Sequence, residues 1–370
     1  ATAVFGVRGA NGVVLITTKR GEEGKPKIDV STSFSALTPT KIVEMADSYQ
    51  YATFHNRMRK NDETAPQFGE DILEKFRTGS DPIRFPSIRW TDYLMKNSTL
   101  QTKSNLNISG GTKSVRYFVS LGLMTQGGLF KEFNYDENFD YSYKRFNYRA
   151  NLDIDVTPTT TVTFNVSGIV SNDNKPRTGQ GASGMIRNMM QSTPFNAAGI
   201  IDDRMVYTAL DYTDLTLPFR SPQDPMEYLR QGSSNTNLNK LQSDLQVTQK
   251  LDFVTPGLSF RLKGSYNSWF NSSKDVTLAR ASYSPVLQED NTILYRQLSA
   301  ATLPSYAERN SRGRDWYFEA AFNYNRRFGL NTVGALLLYN QSKVYYPSTY
   351  SDIPSGYVGL VGRVTYDYDN

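Results

Sequence analysis

Chemistry in this chain has to come from carboxylates, tyrosines and a single histidine, because its 370 residues include no cysteine and one His. His55 stands in Tyr49–Lys60, a run that reads as a helix inside a long connector. A zinc site needs several His or Cys ligands at set spacing. None accompanies His55, which therefore reads as a surface residue. Asp202, Asp203, Asp214 and Asp224 share one connector, and Asp136, Glu137 and Asp140 another. Hard cations take such oxygen ligands, but no segment has the spacing of a calcium loop. Nor does anything fix two carboxylates at the separation that glycoside hydrolysis requires. No catalytic residue, metal or cofactor is expected, and the chain does not read as an enzyme.

Two other residue sets stand out. Aromatics recur in the connectors: Tyr207, Tyr212 and Phe219; then Tyr283, Tyr295 and Tyr306; then Tyr345, Tyr346 and Tyr350. Flat rings with polar edges suit sugar rings or peptide side chains, and packing between connectors is the competing use. The run Gly6-Val7-Arg8-Gly9-Ala10-Asn11-Gly12, followed by Val13–Thr17 and Lys19-Arg20-Gly21, is the sharpest local signal. Asn11-Gly12 favours a tight turn, and Val13–Thr17 reads as a short buried strand. A phosphate loop is excluded, since the Gly-x-x-x-x-Gly-Lys-Ser/Thr spacing is missing. Arg8, Gly9, Asn11, Gly12, Lys19 and Gly21 therefore read as a structural corner.

The elements that must carry these residues are strands. About ten runs alternate apolar and polar residues with the period of two that a strand imposes. In Arg145–Pro158, Phe146, Tyr148, Ala150, Leu152, Ile154 and Val156 share one face, and Asn147, Arg149, Asn151, Asp153 and Asp155 the other. The remaining runs start near Ile28, Gln101, Val115, Val162, Lys240, Leu258, Trp316, Leu330 and Gly362. Leu330–Gln341 is apolar on both faces near Leu336–Leu338, so its orientation stays open. Connectors are by turns short (Gly110–Ser114, Thr157–Thr160, Thr255–Gly257, Arg327–Gly329) and long (Ala36–Leu100, Met124–Lys144, Ser171–Asn239, Asn271–Arg314, Ser342–Val358). Transmembrane β-barrels have this rhythm. A soluble sandwich also has one polar face, but its strands are shorter and its connectors need not fall into two classes.

The reading is an all-β, antiparallel transmembrane barrel. Leu121, Tyr148, Leu152, Ile154, Phe164 and Val166 should face lipid, with Arg149, Asn151, Asp153, Lys263 and Asn323 facing the lumen. Rings at Tyr141–Tyr148, Trp269-Phe270 and Trp316–Phe318 fit the headgroup level.

Composition agrees. There are 24 Tyr and 20 Phe, and the net charge of +5 is spread without a block of like charge. A nucleic-acid partner is not expected. Mean hydropathy is −0.51, and no apolar run is long enough for a membrane helix, which a barrel does not need. No initiator Met or signal peptide precedes Ala1, and the strand pattern runs up to Tyr368-Asp369-Asn370. The chain is read as part of a longer polypeptide.

Val4–Val13 with Ile16–Gly21 resembles the end of the plug domain in SusC/RagA-like TonB-dependent outer-membrane transporters. Asn105–Gly122, Gln126–Leu129, Phe146–Asp153 and Gly362–Tyr368 are also similar to that family. The resemblance implies a plug inside a barrel of about 22 strands, of which about ten lie here. It divides the chain into residues 1–26, the end of the plug, and 27–370, the first part of the barrel with extracellular loops. It implies import of a glycan, or next a peptide, across the outer membrane. The implied partners are a SusD-like surface lipoprotein, the TonB–ExbB–ExbD complex and outer-membrane lipid. A non-transporting outer-membrane module that docks a lipoprotein or secreted partner is the alternative. The mapped lumen face shows no concentrated positive ring, so a neutral or weakly charged substrate is expected.

Overall fold

The computed structural model describes residues 17–133, 140–178, 181–211, 215–346 and 353–368. Regular structure begins with β1 (Gly24–Leu37). The first long connector holds α1 (Ser48–Asn61), α2 (Glu70–Thr78) and α3 (Trp90–Leu94). Four strands follow: β2 (Thr99–Gly111), β3 (Val115–Gly127), β4 (Ser142–Thr157) and β5 (Thr160–Pro176). Next come α4 (Gly181–Gln191), β6 (Ala197–Ile201) and β7 (Arg204–Tyr207). β8 (Gly232–Lys250) and β9 (Leu258–Thr277) precede the short β10 (Ser282–Leu287) and β11 (Ile293–Ser299). The chain closes with β12 (Ser305–Phe328), β13 (Asn331–Tyr345) and β14 (Ser355–Tyr368).

Ten strands form one sheet in the order β1-β2-β3-β4-β5-β8-β9-β12-β13-β14. All neighbours are antiparallel. These are the ten strands that alternation marks. The expected barrel is seen only as an open wall, since β1 and β14 are its two edges and do not pair with each other among the described residues.

Register carries each strand's apolar face into the next. Leu106 pairs with Leu121, Leu121 with Tyr148, Leu152 with Phe164, Phe164 with Leu245, and Phe318 with Gly264. One face of the wall therefore carries an apolar band across its strands. Its side chains stay open even in central strands: Leu245 is 50% exposed, Phe322 45% and Leu337 54%. β13 resolves its orientation the same way. Leu337 and Tyr339 join the apolar face, while Leu336 and Leu338 are buried on the other with Ala321 and Val361.

The tight turns owe their shape to local chemistry. Thr157 Oγ1 accepts from the Thr159 and Thr160 amides at 3.3 and 3.0 Å, around Pro158. Asp252 Oδ1 accepts from the Gly257 amide at 2.8 Å. Gly257 has φ +87° and lies against the Asn325 carbonyl, where a Cβ would not fit.

The main buried cores lie in the long connectors, not in the wall. Phe68, Ile72, Phe76, Phe85 and Phe195 form one; Trp90, Leu94, Met189, Met205, Met226, Tyr228 and Leu229 form another. A four-stranded sheet, β11-β10-β7-β6, joins two connectors through a parallel β10–β7 pair. The α1 helix fits the expected run at Tyr49–Lys60. Asp47 caps it: its Oδ1 accepts from the Gln50 amide at 2.8 Å, and Gln50 returns the bond at 3.1 Å.

Two expectations need correction. The strands are longer than alternation shows: β8 begins at Gly232 rather than Lys240, β9 runs to Thr277, and β12 begins at Ser305. These outer ends, such as Gly232–Asn239, are mostly polar on both faces, so hydropathy cannot mark them, and main-chain pairing alone extends them. The aromatic clusters also split by parity. Phe146, Tyr148, Phe270, Trp316 and Phe318 lie on the apolar face; Tyr143, Trp269 and Tyr317 lie on the polar one. Period two forces adjacent rings apart.

Candidate functional site

The polar face of β3, β4 and β5 is built by alternation alone, and it holds the chain's entry segment. Residues 17–23 run across it before β1 begins at Gly24, three residues inside the expected plug portion. Arg20 Nη1 donates to Asp153 Oδ1 at 2.7 Å, and Thr163 Oγ1 donates to the same oxygen at 2.7 Å. Asn151 Nδ2 donates to the Lys19 carbonyl at 2.7 Å and to Thr18 Oγ1 at 3.3 Å. Asn151 and Asp153 are nearly closed to solvent beneath it. Gly21 is buried, and a Cβ there would overlap the Tyr117 backbone. Beside this dock, Arg116 Nη1 pairs with Asp155 Oδ2 at 2.8 Å. Further along, Arg261 pairs with Glu319 at 2.7 Å, and Asn267 Nδ2 donates to Asp315 at 2.8 Å. A charge-paired surface of this kind stays wet and holds a polar strand of chain or ligand.

Between the entry segment and the wall lies an open cavity of about 630 Å³. Lys19, Arg145, Arg149 and Lys240 line it together with Asn147 and Gln242. None of the four cations has a carboxylate partner among the described residues. The cluster is local to this cavity, on a face where no concentrated positive ring is expected from the sequence. Arg145 and Arg149 lie on β4, Lys240 on β8 and Lys19 on the entry segment, and register across β5 brings them together.

The connector aromatics are placed in several ways. Tyr207 is buried; its hydroxyl donates to Asp224 Oδ1 at 2.8 Å, and burial next to that carboxylate pushes its phenol well above the usual value. Phe219 packs with Phe68, Phe195 and His55. Tyr283 and Tyr295 come together around the Arg204 guanidinium, at 5.9 and 5.5 Å from the ring centres. Partial burial and Asp202 raise the Tyr295 phenol. An open cavity of about 250 Å³ adjoins this pair, lined by Asp203, Arg204, Arg280 and Tyr283. Tyr306 is 78% exposed at the start of β12. Tyr345 and Tyr346 lie at the end of β13 under arginines. Tyr212 lies outside the described residues, as do Tyr350, Arg8, Gly9, Asn11 and Gly12. Among the described residues, no three His, Asp or Glu side chains converge.

Sequence reasoning missed Arg20 and Arg204. Arg20 was legible in part: the uniform polar stripe of β4 needed a partner, and a basic run ends the corner motif. Arg204 was not legible, because the short strands around it carry no periodic signal.

No family model matches the chain. Over 168 residues it is 27% identical to TonB-dependent receptor P3 of Formosa agariphila, covering 45% of this chain and 14% of that protein. Over 153 residues it is 27% identical to TonB-dependent receptor SusC of Bacteroides thetaiotaomicron, covering 41% of this chain and 13% of that one. In fold, the whole chain superposes on 43% of a chain of the RagAB peptide transporter, with TM-score 0.66 and 15% identity. The open-open state of the RagAB peptide importer gives TM-score 0.62 at 18% identity, again over 43% of that chain. In sequence and fold the chain is similar to TonB-dependent outer-membrane transporters of the SusC/RagA type, and it spans less than half the length of these relatives.

Proposed function

We propose that this chain supplies the end of the plug and the first ten strands of an outer-membrane importer for an oligomeric nutrient. One observation carries the reading. The wall has a continuous apolar face with open Leu, Phe and Val side chains, and a polar face that docks the entry segment through Arg20, Asn151 and Asp153. Lipid satisfies the first face, and a plugged aqueous lumen satisfies the second. A soluble sheet would have to bury the apolar face under another layer. The packed connectors gather at the end opposite the tight turns, where a surface lipoprotein of the SusD kind would sit. TonB, ExbB and ExbD would supply the energy. The substrate is a glycan or a peptide. The cationic cavity beneath the entry segment favours a substrate with carboxylates, as does the likeness to a peptide transporter.

The test uses the whole parent protein in intact cells with its lipoprotein. Uptake should stop when the proton gradient is collapsed. Uptake that continues unchanged refutes energy coupling, and binding without uptake favours a docking module. Calorimetry against neutral glycans, acidic glycans and peptides decides the substrate class. Tight binding of a small metal chelate with no oligomer recognised overturns it.

A further inference from the structure

The apolar face changes character abruptly at one end of β12. Phe322, Ala320, Phe318 and Trp316 succeed one another along it, and the next two positions on the same face are Arg314 and Arg312. Both arginines are exposed, and neither has an ion pair among the described residues. Tyrosines at and just past the end of β13 hold them instead. The Arg314 guanidinium lies 4.5 Å from the Tyr345 ring centre, and that of Arg312 5.0 Å from Tyr346. Lys343, which pairs with Trp316, adds a third cation 5.6 Å from the Tyr345 ring.

Beside them is an open groove of about 360 Å³. Val170, Leu241, Tyr266 and Phe270 form its apolar side, and Arg312 and Arg314 its charged side. The site lies at the end of the strands that carries the long connectors, one step past the Trp316–Tyr266 pair. Aromatic rings of this kind mark the water–lipid boundary.

We infer that this groove binds the phosphorylated headgroup of a lipid in the outer leaflet, with an acyl chain along Leu241, Tyr266 and Phe270. The inference rests on the outer-membrane placement proposed above. Guanidinium groups bind phosphate by paired hydrogen bonds, and the rings beneath hold them ready at little entropic cost. At a lipid boundary, arginines with no carboxylate partner would otherwise lose water without compensation. An acidic peptide would satisfy the charges but not the apolar side.

The experiment uses the whole parent protein in nanodiscs, with lipid A and lipid A stripped of phosphate as probes. Native mass spectrometry reads retained lipid. The wild type should retain the phosphorylated form about tenfold better, and R312Q/R314Q should lose that preference. R312K/R314K, which keeps charge without the fork, should fall between them. Heat-modifiable gel mobility shows that each variant is folded. Equal retention of both lipids by wild type, or an undiminished preference in R312Q/R314Q, overturns the inference. Competition by inorganic phosphate at the concentration of the lipid also overturns it, by making the ligand a free anion. Membrane fractionation separates the two readings: a protein absent from the outer membrane refutes the placement, whereas one present there without lipid preference refutes only this site.

Discussion

At the scale of single residues, the dock of the entry segment is the most exacting feature. Gly21 passes so close to the Tyr117 backbone that any side chain displaces one or the other. Gly21→Val in the whole protein should lift residues 17–23 from the wall, with faster hydrogen exchange there and reduced uptake. Unchanged exchange would show that the segment docks elsewhere. Asp153 is a nearly buried carboxylate that takes bonds from Arg20 and Thr163. Asp153→Ala leaves both donors unpaired and should weaken docking by about 1–3 kcal/mol, read from the denaturant midpoint of the same exchange. His55 shows a different effect. Burial and Arg59 lower its pKa from 6.5, and its Nδ1 is buried without a partner in a half-buried ring. The unfolded chain then binds the proton more readily, so the α1 region is fully stabilised above 6.5 and loses stability as pH falls through that value. The loss should be small because the ring is only partly buried. Melting of His55→Phe should lack this slope; an identical slope would assign it to other groups.

At the scale of elements, the strands obey one rule and the connectors another. Within the wall, each side chain meets one of two media, so a single misplaced charge is informative. Leu152 pairs with Phe164 in the middle of the apolar face. Leu152→Arg should destabilise the folded protein in lipid by about 2–4 kcal/mol if the site lies near the bilayer midplane. No loss of stability in lipid would mean that this face meets water. The connectors are small folded units. Trp90 Nε1 donates to the Thr193 carbonyl at 2.9 Å, and Tyr228 Oη donates to the Lys131 carbonyl at 3.0 Å, tying the first, second and third connectors together. These contacts bury Trp90 and Tyr228 almost completely. Tyr207 and Phe219 belong to these same packed units, and of the candidate aromatics among the described residues this leaves Tyr283, Tyr295, Tyr306, Tyr345 and Tyr346 with open surface.

At the scale of the whole molecule, the tight turns and the packed connectors occupy opposite ends of the wall. If the connectors face the outside, protease added to intact cells should cut within residues 177–231 or 278–304 and spare the turns near Pro158 and Gly257. Cleavage confined to the turns would invert the topology. The strand edges are also informative. Among the described residues β1 and β14 have no further strand beside them, and hydrocarbon does not tolerate such edges. Both edges must therefore meet further strands for this wall to reside in a membrane.

The amino-acid sequence determined the ten wall strands, their order of short and long connectors, and which residues share a face. It could do so because a strand between lipid and water repeats every two residues, and that constraint is local. The polar stripe of β4 was legible for the same reason. Tertiary structure alone decided the rest. The outer ends of β8, β9 and β12 are held by main-chain pairing and carry almost no hydropathy signal. The sheet of β6, β7, β10 and β11 joins residues about a hundred positions apart, beyond any local pattern. The meeting of Lys19, Arg145, Arg149 and Lys240 depends on register, because a shift of one residue would send the strand-borne cations to the apolar face.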